Sequence, residues 1–307
     1  MINDKPISRF QNDSTMMKNL KVRITTQSIW FSIMWVAGFA TLVVLLLVVG
    51  YVIVQGGKVI NWEFLTTPPR GGLSGDGGIS TTLGTTVYLV GLTLLIATPL
   101  GIGAAIYLIE YAGEQGLTSP VMRVVISITN FAVETLAGIP SIIFGLFGYA
   151  LFVSTLQFGW SLLSASLAGA CLVLPTIIRT TEEALLTVPD DYRRGSLALG
   201  ATKWQTLHKV VLPAALPGII TGIVLSVGRI ISETAVFFVT LGGSHRLPTS
   251  IMNGGRTLAL HLYYLAMDTN AFDKAMGTGA VLVVLIILIN LSINVISTKL
   301  TAKVRGG

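Results

Sequence analysis

Apolar residues run along this chain in six long blocks, at about 29–54, 83–109, 122–155, 162–180, 214–240 and 277–298, separated by polar segments. A helix that crosses the roughly 30 Å hydrocarbon core needs about 20 mainly apolar residues. Each block therefore predicts one transmembrane helix, and together they predict an all-α integral membrane protein with six spans. The block 122–155 is too long for a straight perpendicular crossing, which predicts a tilted helix or one broken near Pro140. Spans two to five are interrupted by Pro99, Pro140, Pro175 and Pro217 and are rich in glycine. Such breaks are tolerated where neighbouring helices or a wet cavity satisfy the freed carbonyls, and small residues let helices approach closely. The pattern predicts a tightly packed bundle of kinked helices, whose kinks serve either packing or a moving pathway.

The polar segments set the boundaries. Residues 1–25 read as a mobile cytoplasmic tail, 26–55 as the first transmembrane helix, 56–82 as an extracytoplasmic loop, 83–299 as a core domain of five transmembrane helices and 300–307 as a cytoplasmic C-terminal tail. The first apolar block is far longer than the roughly 7–15 residues of a signal-peptide core, so it reads as a retained anchor. The loop string "PPRGGLSGDGGIS" could present backbone NH groups to an anion. No GxxxxGK[ST] pattern occurs anywhere, however, and the string reads as a flexible connector. In the later outer loop, 241–276, His245 and His261 have no Cys or carboxylate at ligand spacing; they read as solvated, with no metal site.

Composition agrees with the pattern: 52% of the 307 residues are hydrophobic and only 11% charged, against about 25% charged in a soluble domain. The net charge of +6 is first a matter of topology rather than of nucleic acid. With the N-terminus inside, only Lys58, Arg70, Arg246, Arg256 and Lys274 fall outside and Arg229 within a span; the remaining Lys and Arg lie inside. That asymmetry predicts both termini on the cytoplasmic side. The single cysteine, Cys171, excludes an intrachain disulfide and reads as a small apolar residue of span four.

Between spans four and five the segment "PDDYRRGSLALGATKWQTLHKVVLP", 189–213, is polar and twice punctuated. Pro189 suits a first helical position, Asp190 and Asp191 match the positive end of the helix dipole, and Gly200 suits a C-terminal stop. Thr202-Lys203-Trp204-Gln205 fits a capping box, so a second helix starts near 203. Leu197, Ala201, Trp204, Leu207 and Val211 share helical spacing, Lys203, His208 and Lys209 point elsewhere, and Leu212-Pro213 ends the element. The segment is either an amphipathic element on the lipid surface or a shaped projection that docks a partner.

Residues 200–213 resemble the cytoplasmic-loop signature of ABC importer permeases: Glu-Ala-Ala, three residues, Gly, nine residues, Ile, one residue, Leu-Pro. Gly200, Val210, Leu212 and Pro213 match it, while Arg194, Gly195 and Ser196 stand at the Glu-Ala-Ala positions. The stretches "LAGIPSIIFGLFG", "LPTIIRTTEEALLTVP", "PLGIGAAIYLIEY" and "GRIISETA" are similar to the A-type permeases of bacterial phosphate-specific importers. The resemblance covers roughly residues 80–300. It implies a type I ABC importer permease fold whose coupling-helix loop, about 183–213, seats on an ATPase, with Asp190, Asp191, Arg193, Arg194, Gly200, Lys203, Trp204, Leu212 and Pro213 in that loop. It also implies a homologous second permease, two ATPase subunits that hold ATP and Mg2+, and an extracytoplasmic phosphate-binding protein, with no cofactor on this chain.

Arg229 and Glu233 fall in the fifth block at helical spacing, and Glu134 falls in the third. A charge at the bilayer centre costs about 2.5–3.5 kcal/mol on insertion scales, so such residues face the bundle interior or water. Either Arg229 neutralises Glu233 or Glu134, or it offers its planar donor fork to a permeating phosphate oxyanion. Asn130, Ser141 and Ser232 are candidate neutral donors on the same path. Sulfate or molybdate would suit the same chemistry. Buried carboxylates could alternatively serve a proton-coupled carrier, but no inverted repeat favours one, and no nucleophile–base pair points to a membrane enzyme.

Overall fold

Residues 7–70, 75–111 and 120–305 are described by the computed structural model of the chain, and among them every regular element is helical. Residues 1–6 and 306–307 of the two tails, and 71–74 of the glycine-rich string, lie outside the described residues. The chain divides into two compact units, residues 1–54 and 55–307.

The first unit is carried by α1 (Ile7–Gly57). Helix starts well ahead of the boundary expected at 26, because no Pro or Gly interrupts residues 7–37. Along residues 29–48 of its apolar part, Thr26–Gly57, most of the large hydrophobic side chains are exposed, a surface suited to lipid.

In the second unit, α2 (Trp62–Thr66) is a single turn capped by Asn61 Oδ1, which accepts from the Phe64 NH at 2.7 Å. The segment around it is not a free connector. Pro69 and Gly77 form an antiparallel bridge, and Lys274 donates to the Gly75 carbonyl at 3.0 Å and meets Asp76 at 3.2 Å. Five further crossings follow. The second is α3 (Ser80–Ile106), extended by a wide turn over Tyr107–Tyr111. The third is a bent pair, α4 (Pro120–Gly138) and α5 (Ser141–Gly148), the latter prolonged by a wide turn to Thr155. The helix axis bends by 109° between the two halves, the geometry of a broken span or of a re-entrant pair, and Pro140 stands at the break as the N-cap of α5. Proline there has no NH to donate and disfavours helix in the residue before it, so the long apolar block folds as two pieces.

The fourth crossing, α6 (Leu162–Leu186), is the axis of the unit, buried on most of its faces and packed against α3, α4 and α5. It also packs against α9 (Leu212–Ser232), the main part of the fifth crossing. Small residues permit this: Ala165, Ala168 and Ala170 are buried, and a Cβ on Gly148 would sit 2.6 Å from that of Ala168. Lipid is as apolar as the helices, so this close fit, rather than expulsion of water, supplies the cohesion. Gly222 of α9 lies so near α6 that a Cβ there would overlap Thr180 Oγ1.

Between α6 and α9 come α7 (Asp190–Ala198) and α8 (Lys203–Thr206). After α9 the chain breaks at Glu233, whose backbone is extended, and resumes as α10 (Ala235–Thr240). The fifth block is thus not one straight helix. The later loop also contains a helix the apolar blocks did not reveal, α11 (Leu258–Met267), packed on α12 (Phe272–Arg305). The last helix runs through the boundary expected at 299 as far as Arg305.

Candidate functional site

α7 and α8 form a capped projection at one end of α9. Pro189 is the N-cap of α7 rather than its first helical residue, and Asp190 and Asp191 occupy the first turn, where the helix dipole favours them. Gly200 ends α7 with φ +85°, and the NH groups of Gly200 and Ala201 return to the carbonyls of Leu197 and Ser196, a Schellman closure that favours glycine. Two residues on, the Thr202 hydroxyl accepts from the Gln205 NH at 3.2 Å, and the Gln205 side chain accepts from the Thr202 NH at 2.9 Å. This is the expected capping box, and α8 starts at Lys203.

Leu212-Pro213 does not end the element. A wide turn over Leu207–Val211 carries α8 straight into α9, giving one helical run from Lys203 to Ser232. Proline lacks the NH that an ordinary turn requires, and the wider bonding pattern just before it accommodates that loss. Leu207 and Val211 are buried against Ala184, Leu185, Val188, Ala215 and Ile219, which anchors the projection to the ends of α6 and α9. Away from that anchor, Leu199 is 90% and Trp204 59% exposed, and Trp204 stacks on His208 with ring centres 4.5 Å apart. Leu199 and Trp204 give this otherwise polar projection an exposed apolar surface.

Arg193 is not part of that surface. It reaches inward to Glu110 at the end of the second crossing, Nη2 to Oε1 at 2.7 Å, and donates to the carbonyls of Val188 at 2.7 Å and Leu185 at 2.9 Å. Its remaining contact is Asp190 at 3.3 Å. Glu110, which sequence reasoning missed, therefore holds α7 to α3. Lys203 of α8 lies over the Tyr111 ring at 4.8 Å, a second tie to the end of the second crossing. Ser196, one of the residues at the Glu-Ala-Ala positions, hydrogen-bonds Thr206 at 2.9 Å and links α7 to α8. A groove of about 630 Å³ opens beside these ties, lined by Glu110, Asp190, Arg193, Leu197 and Lys203 among others. Asp191 and Arg194 are exposed beside it.

The polar residues of the spans are arranged differently from the expectation. Arg229 is exposed on α9, on one stripe with Thr221, Leu225 and Ser232, and no pair with Glu233 or Glu134 forms. The helix stops at Ser232, so the four-residue spacing of Arg229 and Glu233 is not helical to its end. Glu233 turns inward instead, 9% exposed, and its Oε1 accepts from the NH groups of Ala235 at 3.0 Å and Val236 at 3.3 Å. It caps α10. Glu134 pairs with Arg179 of α6, which also binds the buried Glu182 at 3.1 Å. Arg179 read from sequence as one more inner-face charge; its spacing of three from Glu182 was the available signal.

Asn130 lies one turn from Glu134 on the exposed side of α4. Ser141 is half-buried at the start of α5, away from both, and the Ser232 hydroxyl donates to the Gly228 carbonyl at 2.9 Å. The structure thus joins Glu134 to Arg179 and leaves Arg229 free of either acid. Ionised side chains exposed at membrane depth do not face lipid. Arg229 and Glu134 both stand exposed on otherwise apolar helices.

Residues 97–306 match the family model described as "Binding-protein-dependent transport system inner membrane component". The chain is 32% identical to a probable ABC transporter permease protein, YqgI, of Bacillus subtilis, over 82% of this chain and 88% of that one. It is 36% identical to phosphate transport system permease protein PstA 1 of Mycobacterium tuberculosis (70% of this chain, 68% of that one). To PstA of Yersinia pestis it is 32% identical, with 80% of each chain covered. Among solved structures, a chain of the inward-facing MetNI methionine ABC transporter superposes with a TM-score of 0.53 at 23% identity, covering 74% of this chain and 94% of that one. A type I permease fold, a multi-pass bundle and a matched segment that takes in the core from midway along the second crossing onward converge: this chain belongs to the family of inner-membrane components of binding-protein-dependent transport systems.

Proposed function

We propose that the chain is one of two homologous permease subunits of an ATP-driven importer of inorganic phosphate. In this reading α7 and α8 seat on an ATPase subunit at the cytoplasmic face. Two ATPases bind ATP and Mg2+, and an extracytoplasmic phosphate-binding protein delivers the anion. Both termini are cytoplasmic, in line with the inward bias of Lys and Arg, and the protein resides in the cell membrane. The observation that carries the reading is the likeness to phosphate permeases over 70–80% of the chain.

The passage runs along the face of α9 that bears Arg229. A permanently charged guanidinium with no acid on it is free to meet an oxyanion, and the neutral groups Asn130, Ser141 and Ser232 contribute acceptors and donors along the way. Glu134 and Glu233 act through their own partners, keeping the positive field low enough that the anion leaves again. Reconstitution of the chain with its partner subunits in liposomes tests the reading. ATP-dependent entry of radiolabelled phosphate, competed by excess phosphate and not by sulfate or molybdate, is the expected result. Entry of sulfate or molybdate in its place would transfer the proposal to that oxyanion.

A further inference from the structure

At the end of α9 remote from α7 and α8, the loop before α11 gathers three basic side chains and no ion-paired acid. Arg256 is partly buried. One Nη donates to the Gly243 carbonyl at 2.8 Å, the other lies 3.4 Å from His261 Nδ1, and the Tyr264 ring covers the guanidinium face at 4.1 Å. Its Nε is shielded from solvent and has no hydrogen-bond partner, and no carboxylate forms an ion pair with it. Asp268 is the acid whose charge reaches it, from beyond contact distance. His245 Nδ1 is likewise shielded and unpartnered. His261 is 4% exposed, and burial, then the charges of Arg256 and His245, push its pKa down to about 3. It stays neutral and lends Arg256 a lone pair without a charge.

Close backbone contacts hold the group together. A side chain on Gly243 would meet the Tyr264 hydroxyl and the Arg256 guanidinium, and one on Gly255 would meet Thr85 and Pro248. The group sits at the N-terminal end of α11, where the helix dipole adds positive potential. A partly buried guanidinium without a counter-ion is costly, and two orphan nitrogens beside it add to that cost. An anion would remove both costs at once.

We propose that Arg256 and His245, with His261 as the neutral support of the guanidinium, form an oxyanion-binding station at this end of the bundle. Its ligand is a tetrahedral oxyanion, bound by Arg256 and His245 once their side chains turn the shielded Nε and Nδ1 towards it. That the anion is inorganic phosphate rests on the function proposed above; that the station takes an oxyanion does not. On the importer reading this is the outer mouth, and the station receives the anion before it descends along α9.

The complete complex, purified in detergent and again in liposomes, provides the test. Inorganic phosphate is expected to protect Arg256 from phenylglyoxal, read by peptide mass spectrometry. Arg256→Gln is expected to raise the half-saturating phosphate concentration for uptake by about tenfold, the loss of one charge-assisted contact. His245→Phe, which keeps the shape of the ring and removes Nδ1, an atom that bonds nothing within the chain, covers the case in which Arg256→Gln fails to assemble; it is expected to shift half-saturation in the same direction. Protection by sulfate or molybdate but not phosphate would keep the station and overturn the phosphate assignment. Normal phosphate uptake with unchanged half-saturation in an assembled variant, or modification of Arg256 at the same rate with and without every oxyanion tried, would overturn the station and leave the phosphate reading standing.

Discussion

Arg193 and Glu110 meet as a two-pronged ion pair, with Nη2 and Nε both directed at Oε1, at 2.7 and 3.1 Å, and with side-chain exposures of 17% and 10%. Breaking a pair this sheltered leaves one charge uncompensated and costs about 3–5 kcal/mol where burial is complete. Arg193→Ala and Glu110→Ala are each expected to lower the thermal stability of the complex substantially. The double variant should lose less than the two single losses combined, since the second removal strands no charge. Additive losses would show that the pair does not act as a unit. ATP hydrolysis without uptake is the functional counterpart, because the tie joins the docking element to the second crossing.

Two glycines of α9 are expected to behave oppositely. At Gly222 a methyl group collides with Thr180 of α6, and overpacking of this kind costs about 1–3 kcal/mol. At Gly228 nothing lies within 4 Å, and alanine gains about 1 kcal/mol or less of helix propensity. Thermal unfolding of Gly222→Ala and Gly228→Ala, compared in the same detergent, checks the contrast. Equal stabilities would mean that α6 and α9 are not in this register.

His261 gives stability a pH dependence of known sign. Its folded pKa of about 3 lies below the unfolded value of 6.5, so the neutral ring favours the folded state above 6.5. The contribution is lost as pH falls from 6.5 towards 3, because the unfolded chain takes up the proton first. Unfolding midpoints measured across that window should decline less steeply in His261→Gln than in the unaltered chain.

Arg229→Gln separates passage from architecture. Arg229 binds neither Glu134 nor Glu233, so its loss is not expected to disturb assembly or the ATPase activity of the complex. Phosphate uptake should fall by at least about tenfold, as expected for a lost charge-assisted contact. A complex that fails to assemble would assign Arg229 a structural role; normal uptake would remove it from the path.

The parts that sequence reasoning resolved are those written in adjacent residues. Gly200, the Thr202–Gln205 box and the break at Pro140 each depend on a few neighbouring backbone groups, and all three stand where local chemistry puts them. What it missed depends on residues far apart. Glu110 and Arg193 are separated by 83 positions, and Glu134 and Arg179 by 45, so neither pair leaves a periodic trace. α11 was hidden for another reason: its ten residues are too short for a span, and the buried His261 resembles any solvated loop histidine. Glu233 was placed in mid-helix because helical spacing does not reveal a carboxylate that leaves the helix to cap the next one.

The helical run from Lys203 to Ser232 has 30 residues, about 45 Å at 1.5 Å per residue. Trp204 at one end and Arg229 near the other thus stand on one helical run, interrupted by the wide turn and by Pro217. The wide turn at Leu207–Val211 holds one more residue than an ordinary turn, and the surplus is taken up within the turn itself. Deleting one residue there is expected to close it to an ordinary helical turn and leave Trp204 and Arg229 in nearly the same phase, whereas a deletion in the regular part of α9 would turn one end against the other by about 100°. The run thus carries a spare residue at a place where its loss rotates nothing.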